Sequence, residues 1–131
     1  MKHRKLHTNH YLEIEYNLID DIITGNWIGP QTESSIKAGY EDLSFFMQQQ
    51  VCHKLLDNHL EVKGIWVDGA GWMAYDWHPR AEKNGLIYHA CVYSRDTFSR
   101  LSTHQAIHMV EKGIIEGFDT REAAENWLKA V

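Results

Sequence analysis

Within its first fifty residues the hydrophobic period of this chain changes from two to the roughly 3.6 of a helix, and that switch limits what it can fold into. Leu12, Ile14 and Tyr16 alternate with Glu13, Glu15 and Asn17, the signature of a half-exposed strand. A turn around Asn17–Asp20 and a second strand from about Ile22 to Ile28 complete an antiparallel hairpin, which Gly29-Pro30 closes. From Thr32 onward, Ile36, Tyr40, Leu43 and Met47 fall at helical spacing and form one apolar face. A chain that pairs strands and then covers them with an amphipathic helix is committed to layered α/β packing.

The same alternation continues. Val51–Leu56 reads as a short buried strand. An aromatic segment follows, a loop and then a helix from about Gly71, with a kink where His78 precedes Pro79. Asn84-Gly85 closes that helix, and Leu86–Tyr93 is the clearest central strand, apolar or small on both faces. Ser94 caps a short turn carrying Phe98 and Leu101. Ser102 and Gln105 form a capping-box pattern for a helix that ends at Gly113. Ile114–Phe118 is a last strand, and Asp119 with Glu122 opens a final helix whose apolar face is Ala123, Ala124, Trp127, Leu128 and Val131. The expected order is β-β-α-β-α-β-α-β-α: one mixed-sheet α/β domain over residues 11–131, its later strands parallel, preceded by a flexible basic tail at 1–10.

Composition narrows the function classes. The chain has 131 residues, 44% hydrophobic and 24% charged, which fits one soluble domain with a real core. Its net charge of −5 hides an asymmetry. Lys2, Arg4 and Lys5 stand in residues 1–10 without an acid, so the other 121 residues hold 10 basic and 18 acidic groups, a net of −8. An acidic body excludes nonspecific grip on nucleic-acid phosphates. No apolar run reaches the roughly 18 residues of a membrane helix, and no signal-peptide pattern follows the basic start. Cys52 and Cys91 read as buried free thiols, which points to a reducing, cytoplasmic setting.

Several short pieces, in order, carry a resemblance. They are Ile22–Gly29 with its Trp27-x-Gly29 ending, Leu55-Leu56-Asp57-Asn58, Gly64-Ile65-Trp66 and Trp72-x4-Trp77-x-Pro79. Then come Gly85-Leu86-x-Tyr88-x-Ala90-x-Val92-x-Ser94 and Phe118 with Ala124-x2-Trp127-Leu128. Over about residues 11–131 the chain resembles the STAS domain, the fold of anti-sigma-factor antagonists, and especially small stand-alone bacterial STAS-like proteins. The resemblance implies a non-enzymatic module that binds a protein or a small ligand. One departure is plain. The phosphorylatable antagonists carry a serine after the strand corresponding to Val51–Leu56, but this chain has no serine between Ser44 and Ser94 and no threonine between Thr32 and Thr97. The phospho-switch does not carry over.

The remaining chemistry is sparse. His104 and His108, four apart on a helix, imitate the zinc-protease pattern, but the residue after the first histidine is Gln105, which cannot act as a base. By helical angle both lie opposite Ala106, Met109 and Val110, on the solvated face. A metal-dependent hydrolase on these histidines, or a metal-binding tail through His3, His7 and His10, is thus set aside. His89 reads as a satisfied core histidine, too far from Cys91 along the strand for proton transfer. Two scattered cysteines do not make a structural zinc site, and Gly69-x-Gly71 is no phosphate loop, so no metal or cofactor is expected.

Position favours Asp57, Asn58, Ser94 and Arg95, since ligands of open α/β sheets gather beyond the carboxyl ends of strands. Trp66, Trp72 and Trp77 fall within twelve residues and offer large apolar faces with polar edges, as core or as rim. The expectation is a cytoplasmic STAS-like module that engages a protein partner or small molecule, catalyses nothing, and does not act on nucleic acid or membranes. A homodimer is one form of such an association. The alternative is a small-molecule carrier or enzyme using Asp57 and the Trp66–Trp77 segment.

Overall fold

The computed structural model describes residues 2–131. Its centre is a six-stranded sheet whose spatial order follows the chain. The strands are β1 (His3–Thr8), β2 (Leu12–Asn17), β3 (Ile22–Pro30), β4 (Lys54–Lys63), β5 (Tyr88–Val92) and β6 (Ile114–Phe118). The first three run antiparallel, and β3 to β6 run parallel. Each parallel connection passes through helix: α1 (Glu33–Gln50), then α2 (Val67–Trp72) and α3 (His78–Lys83), then α4 (Thr97–Met109). A final helix, α5 (Arg121–Ala130), follows β6. Among the described residues no helix is long and apolar enough to cross a membrane.

Local chemistry sets the boundaries. In the β2–β3 turn the Asn17 side chain accepts from the Ile19 and Asp20 amides, and Asp21 takes a left-handed conformation. Thr32 and Ser35 form a reciprocal capping box at the start of α1. That helix ends at Val51, which holds the left-handed cap position usually given to glycine. Between α2 and α3 the chain makes one π-helical turn, Met73–Trp77, where the His78 amide reaches back to the Met73 carbonyl. Pro79 follows at once. It has no amide to donate and its ring crowds the preceding turn, so the expected kink takes the form of a widened turn inside a continuous helical run.

Two cores flank the sheet. The larger packs α1, α2, α3 and α4 on one face, around Leu12, Ile14, Trp27, Tyr40, Leu43, Leu55, Met73 and Trp77. The smaller lies under α5 and joins Ile22, Leu56, Ala90 and Val92 to Ala124 and Leu128.

Four expectations are corrected here. The basic start is not a loose tail: β1 pairs with β2, with Lys5 near Glu13 and Leu6 packed on the larger core. The strand placed at Val51–Leu56 begins at Lys54 and runs to Lys63, because Val51 and Cys52 finish the helix cap instead. The helix expected from Ser102 begins at Thr97, capped by the Asp96 carboxylate. Ser102 is therefore mid-helix. The last helix is capped by Thr120, one residue after Asp119.

Candidate functional site

Because β4 extends through Lys63, Asp57 falls in mid-strand and points into the larger core, with Trp27 and Tyr40 on one side and His89 and Cys91 on the other. Its carboxylate is fully buried. Oδ1 accepts from the Trp27 indole N–H at 2.8 Å and from His59 Nε2 at 2.9 Å. Oδ2 accepts from the Tyr40 hydroxyl at 2.6 Å and from His89 Nε2 at 2.9 Å. The Cys91 thiol is 3.9 Å from Oδ2 and 3.6 Å from His89 Nε2. Gly25, the β3 neighbour of Asp57, lets Leu43 pack close against the strand beside the cluster.

The electrostatics follow from burial and charge. Burial alone would push the Asp57 carboxyl up, but the charge and hydrogen bonds of His59, then those of His89, outweigh it and hold it well below the usual carboxylate range. Burial, then the Asp57 charge, pushes the Tyr40 phenol and the Cys91 thiol well above their ordinary values. At neutral pH the carboxylate therefore lies beside a protonated phenol and a protonated thiol, and hydrogen bonds to both its oxygens give a buried anion the partners it requires.

Two arms leave this centre. On one, His59 Nδ1 lies 2.7 Å from the Thr103 hydroxyl, giving a hydroxyl–imidazole–carboxylate series of the type that activates nucleophiles. Thr103, His59 and Asp57 are 0%, 2% and 0% exposed, so no substrate atom can approach the hydroxyl in this conformation. On the other arm the His89 ring stacks on His78 at 5.2 Å, and His78 Nδ1 meets Glu82 at 3.0 Å. Burial, then the neighbouring His89, pushes His78 down to about 3, so it is neutral. His89 Nδ1 and His78 Nε2 are buried nitrogens without a partner. His78 also borders a cavity of about 400 Å³ between α3 and the segment after α4, with Tyr75, Pro79, Glu82, Val110 and Lys112 among its walls.

The residues singled out from sequence divide between these places. Asp57 and Asn58 do not sit beyond a strand end, and as neighbours in β4 they face opposite sides of the sheet. Asn58 donates to Asn26 on the α5 side. Ser94 and Arg95 do lie past β5, but they meet the far end of β4: Ser94 donates to the Val62 carbonyl at 2.7 Å. Gly64 donates to Asp96 and the Trp66 amide to Ser102 Oγ, lacing the two loops together. Trp66 and Trp77 are core, while Trp72 is half-buried near Lys37 and Arg80. His104 and His108 are exposed.

The expected separation of His89 from Cys91 does not hold. Their backbones are two residues apart, but both side chains bend toward Asp57 and close the gap. His59, Thr103 and Tyr40 were not singled out for chemistry. Their only signal was polarity at inward positions: Asp57 and His59 share one strand face with Leu55.

No family model matches the chain, and no curated protein matches it. A solved structure does, that of an uncharacterised protein of the DUF3478 family from Shewanella loihica PV-4, described as having a SpoIIAA-like fold. The two share 16% sequence identity with a TM-score of 0.57, over 94% of this chain and 98% of that one. The likeness establishes the STAS-like fold.

Proposed function

We propose that this protein is a non-enzymatic, STAS-like binding module that meets a protein partner at the carboxyl edge of its parallel strands, without a serine phospho-switch. The observation that carries this reading is three large exposed apolar side chains on two segments that hydrogen bonds lace together. Ile65, Phe98 and Leu101 are 56%, 63% and 50% exposed. Phe98 and Leu101 share one face of α4, three residues apart, and Ile65 lies between Gly64 and Trp66, whose amides are tied to Asp96 and Ser102. Grouped apolar exposure of this kind marks an interaction surface. Arg95, exposed at the same edge, adds a charge beside it.

The turn after β4, Gly64-Ile65-Trp66, leads into α2 with Trp66 at the cap position and no hydroxyl, which supports binding that is not gated by a phosphate there. Free buried Cys52 and Cys91 support a reducing compartment such as the cytoplasm. The 400 Å³ cavity beside α3 favours a second reading, a small-molecule carrier. In that case the aromatic segment contributes Ala74 and Tyr75, and Asp57 takes no direct part.

The test is retention of native partners by wild type and by a variant combining Ile65→Asp, Phe98→Asp and Leu101→Asp. These side chains are outside the core, so the melting temperature should change little while the partner is lost. Unchanged retention by a folded triple variant would move the binding surface elsewhere.

A further inference from the structure

We propose that Asp57, His89 and Cys91 form a buried site for one divalent transition-metal ion, with zinc the favoured occupant. The proposal is independent of the partner-binding surface. The three donor atoms lie within 4.8 Å of one another, all of them on adjacent strands and buried. Their separations are 2.9 Å for nitrogen to oxygen, 3.6 Å for sulfur to nitrogen and 3.9 Å for sulfur to oxygen. Tetrahedral zinc at ordinary bond lengths spaces such donors by roughly 3.4–3.6 Å, so shifts of a few tenths of an ångström would seat the ion.

The donor types select the metal. One thiolate, one imidazole and one carboxylate suit zinc or cobalt and not magnesium or calcium, which need oxygen cages. Charge closes as well, because a dication with a carboxylate and a thiolate is neutral, and a neutral group is what a sealed core tolerates. The surroundings have the form of an outer ligand shell. Trp27 and His59 donate to Oδ1 and fix the carboxylate plane, while the Tyr40 hydroxyl donates to Oδ2.

The thiol is the feature that internal hydrogen bonding explains least. Buried among better donors, it has only the 3.9 Å and 3.6 Å contacts to satisfy it. Loading releases the Cys91 proton to solvent and forms the metal–sulfur bond. His89 binds through its Nε2 lone pair as the neutral ring with its one proton on Nδ1, and where the ring starts charged its Nε2 proton leaves to solvent with that of Cys91. The retained proton then sits on Nδ1, a buried nitrogen with no hydrogen-bond acceptor beside it, on a ring stacked against His78.

Untagged full-length protein should be refolded from denaturant with cobalt(II), because a sealed site fills as the chain closes over it. The expected result is one equivalent of retained cobalt with thiolate-to-cobalt charge-transfer absorption, replaced stoichiometrically by zinc. Cys52→Ser and the double variant His104→Ala, His108→Ala should keep both signals, and Cys91→Ser should lose them. No charge-transfer band in refolded wild type would overturn the proposal, and so would a folded Cys91→Ser that retains one equivalent. If Cys91→Ser fails to fold, the wild-type band and its persistence in Cys52→Ser decide the matter by themselves.

Discussion

At Asp57 a single carboxylate takes hydrogen bonds from residues on β3, α1, β4 and β5. Replacing it with alanine strands four buried donors at once, and breaking a buried charge network of this kind costs about 3–5 kcal/mol. Urea midpoints of Asp57→Ala against wild type measure that loss, and a loss below about 1 kcal/mol would contradict the hydrogen-bond assignment. His78 makes a second residue-scale prediction. Its folded value of about 3 lies below the ordinary 6.5, so between those values the unfolded chain binds a proton that the folded chain does not. Its contribution is complete above about 6.5 and drains away as pH falls toward 3, with a slope of at most about 1.4 kcal/mol per pH unit. Asp57 acts in the same direction, but only below its ordinary value of 3.8. Stability measured from pH 7 to pH 4 should therefore fall in wild type and stay flatter in His78→Gln. Parallel curves would assign the acid loss to another group.

At the scale of elements, Val51 offers the cleanest test. A β-branched residue with φ of 51° at an exposed helix cap is strained, and glycine is not. Val51→Gly should stabilise the protein by about 1 kcal/mol and raise its melting temperature by several degrees. Gly39 on α1 should behave oppositely, because a methyl group there would collide with the Trp27 ring. Gly39→Ala should cost about 1–3 kcal/mol, read from the same melts. These elements also show how far the sequence could be read. The meander from Leu12 to Pro30, helix α1, the central β5 and the closing helix were legible from hydrophobic period, since each buries one regular stripe. Strand β4 was misjudged because its inward residues Asp57 and His59 are polar, which broke the apolar pattern at the place where the side chains converge. Strand β1 was hidden for a related reason: as an edge it shows its charged residues to solvent, and only Leu6 reports that it packs. Pairings such as Asp57 with His89 depend on register between strands 32 residues apart, which no local period encodes.

For the whole molecule, one large core and one small core share a sheet, and α5 alone guards the smaller one. Lys54, on the α5 side of β4, ties that helix down by donating to the Leu128 and Val131 carbonyls. Lys54→Met keeps the side-chain length and removes these bonds, so it should speed amide exchange in α5 while leaving α1 protected, as expected for a locally opening unit. Equal acceleration in both helices would mean that the two layers open together. The strand order has a consequence of a different kind. Every strand from β2 to β6 lies beside the one made just before it, so a growing chain never has to leave a gap for a segment not yet synthesised. Such a sheet can be laid down vectorially as the ribosome releases it, each new strand finding its template already in place.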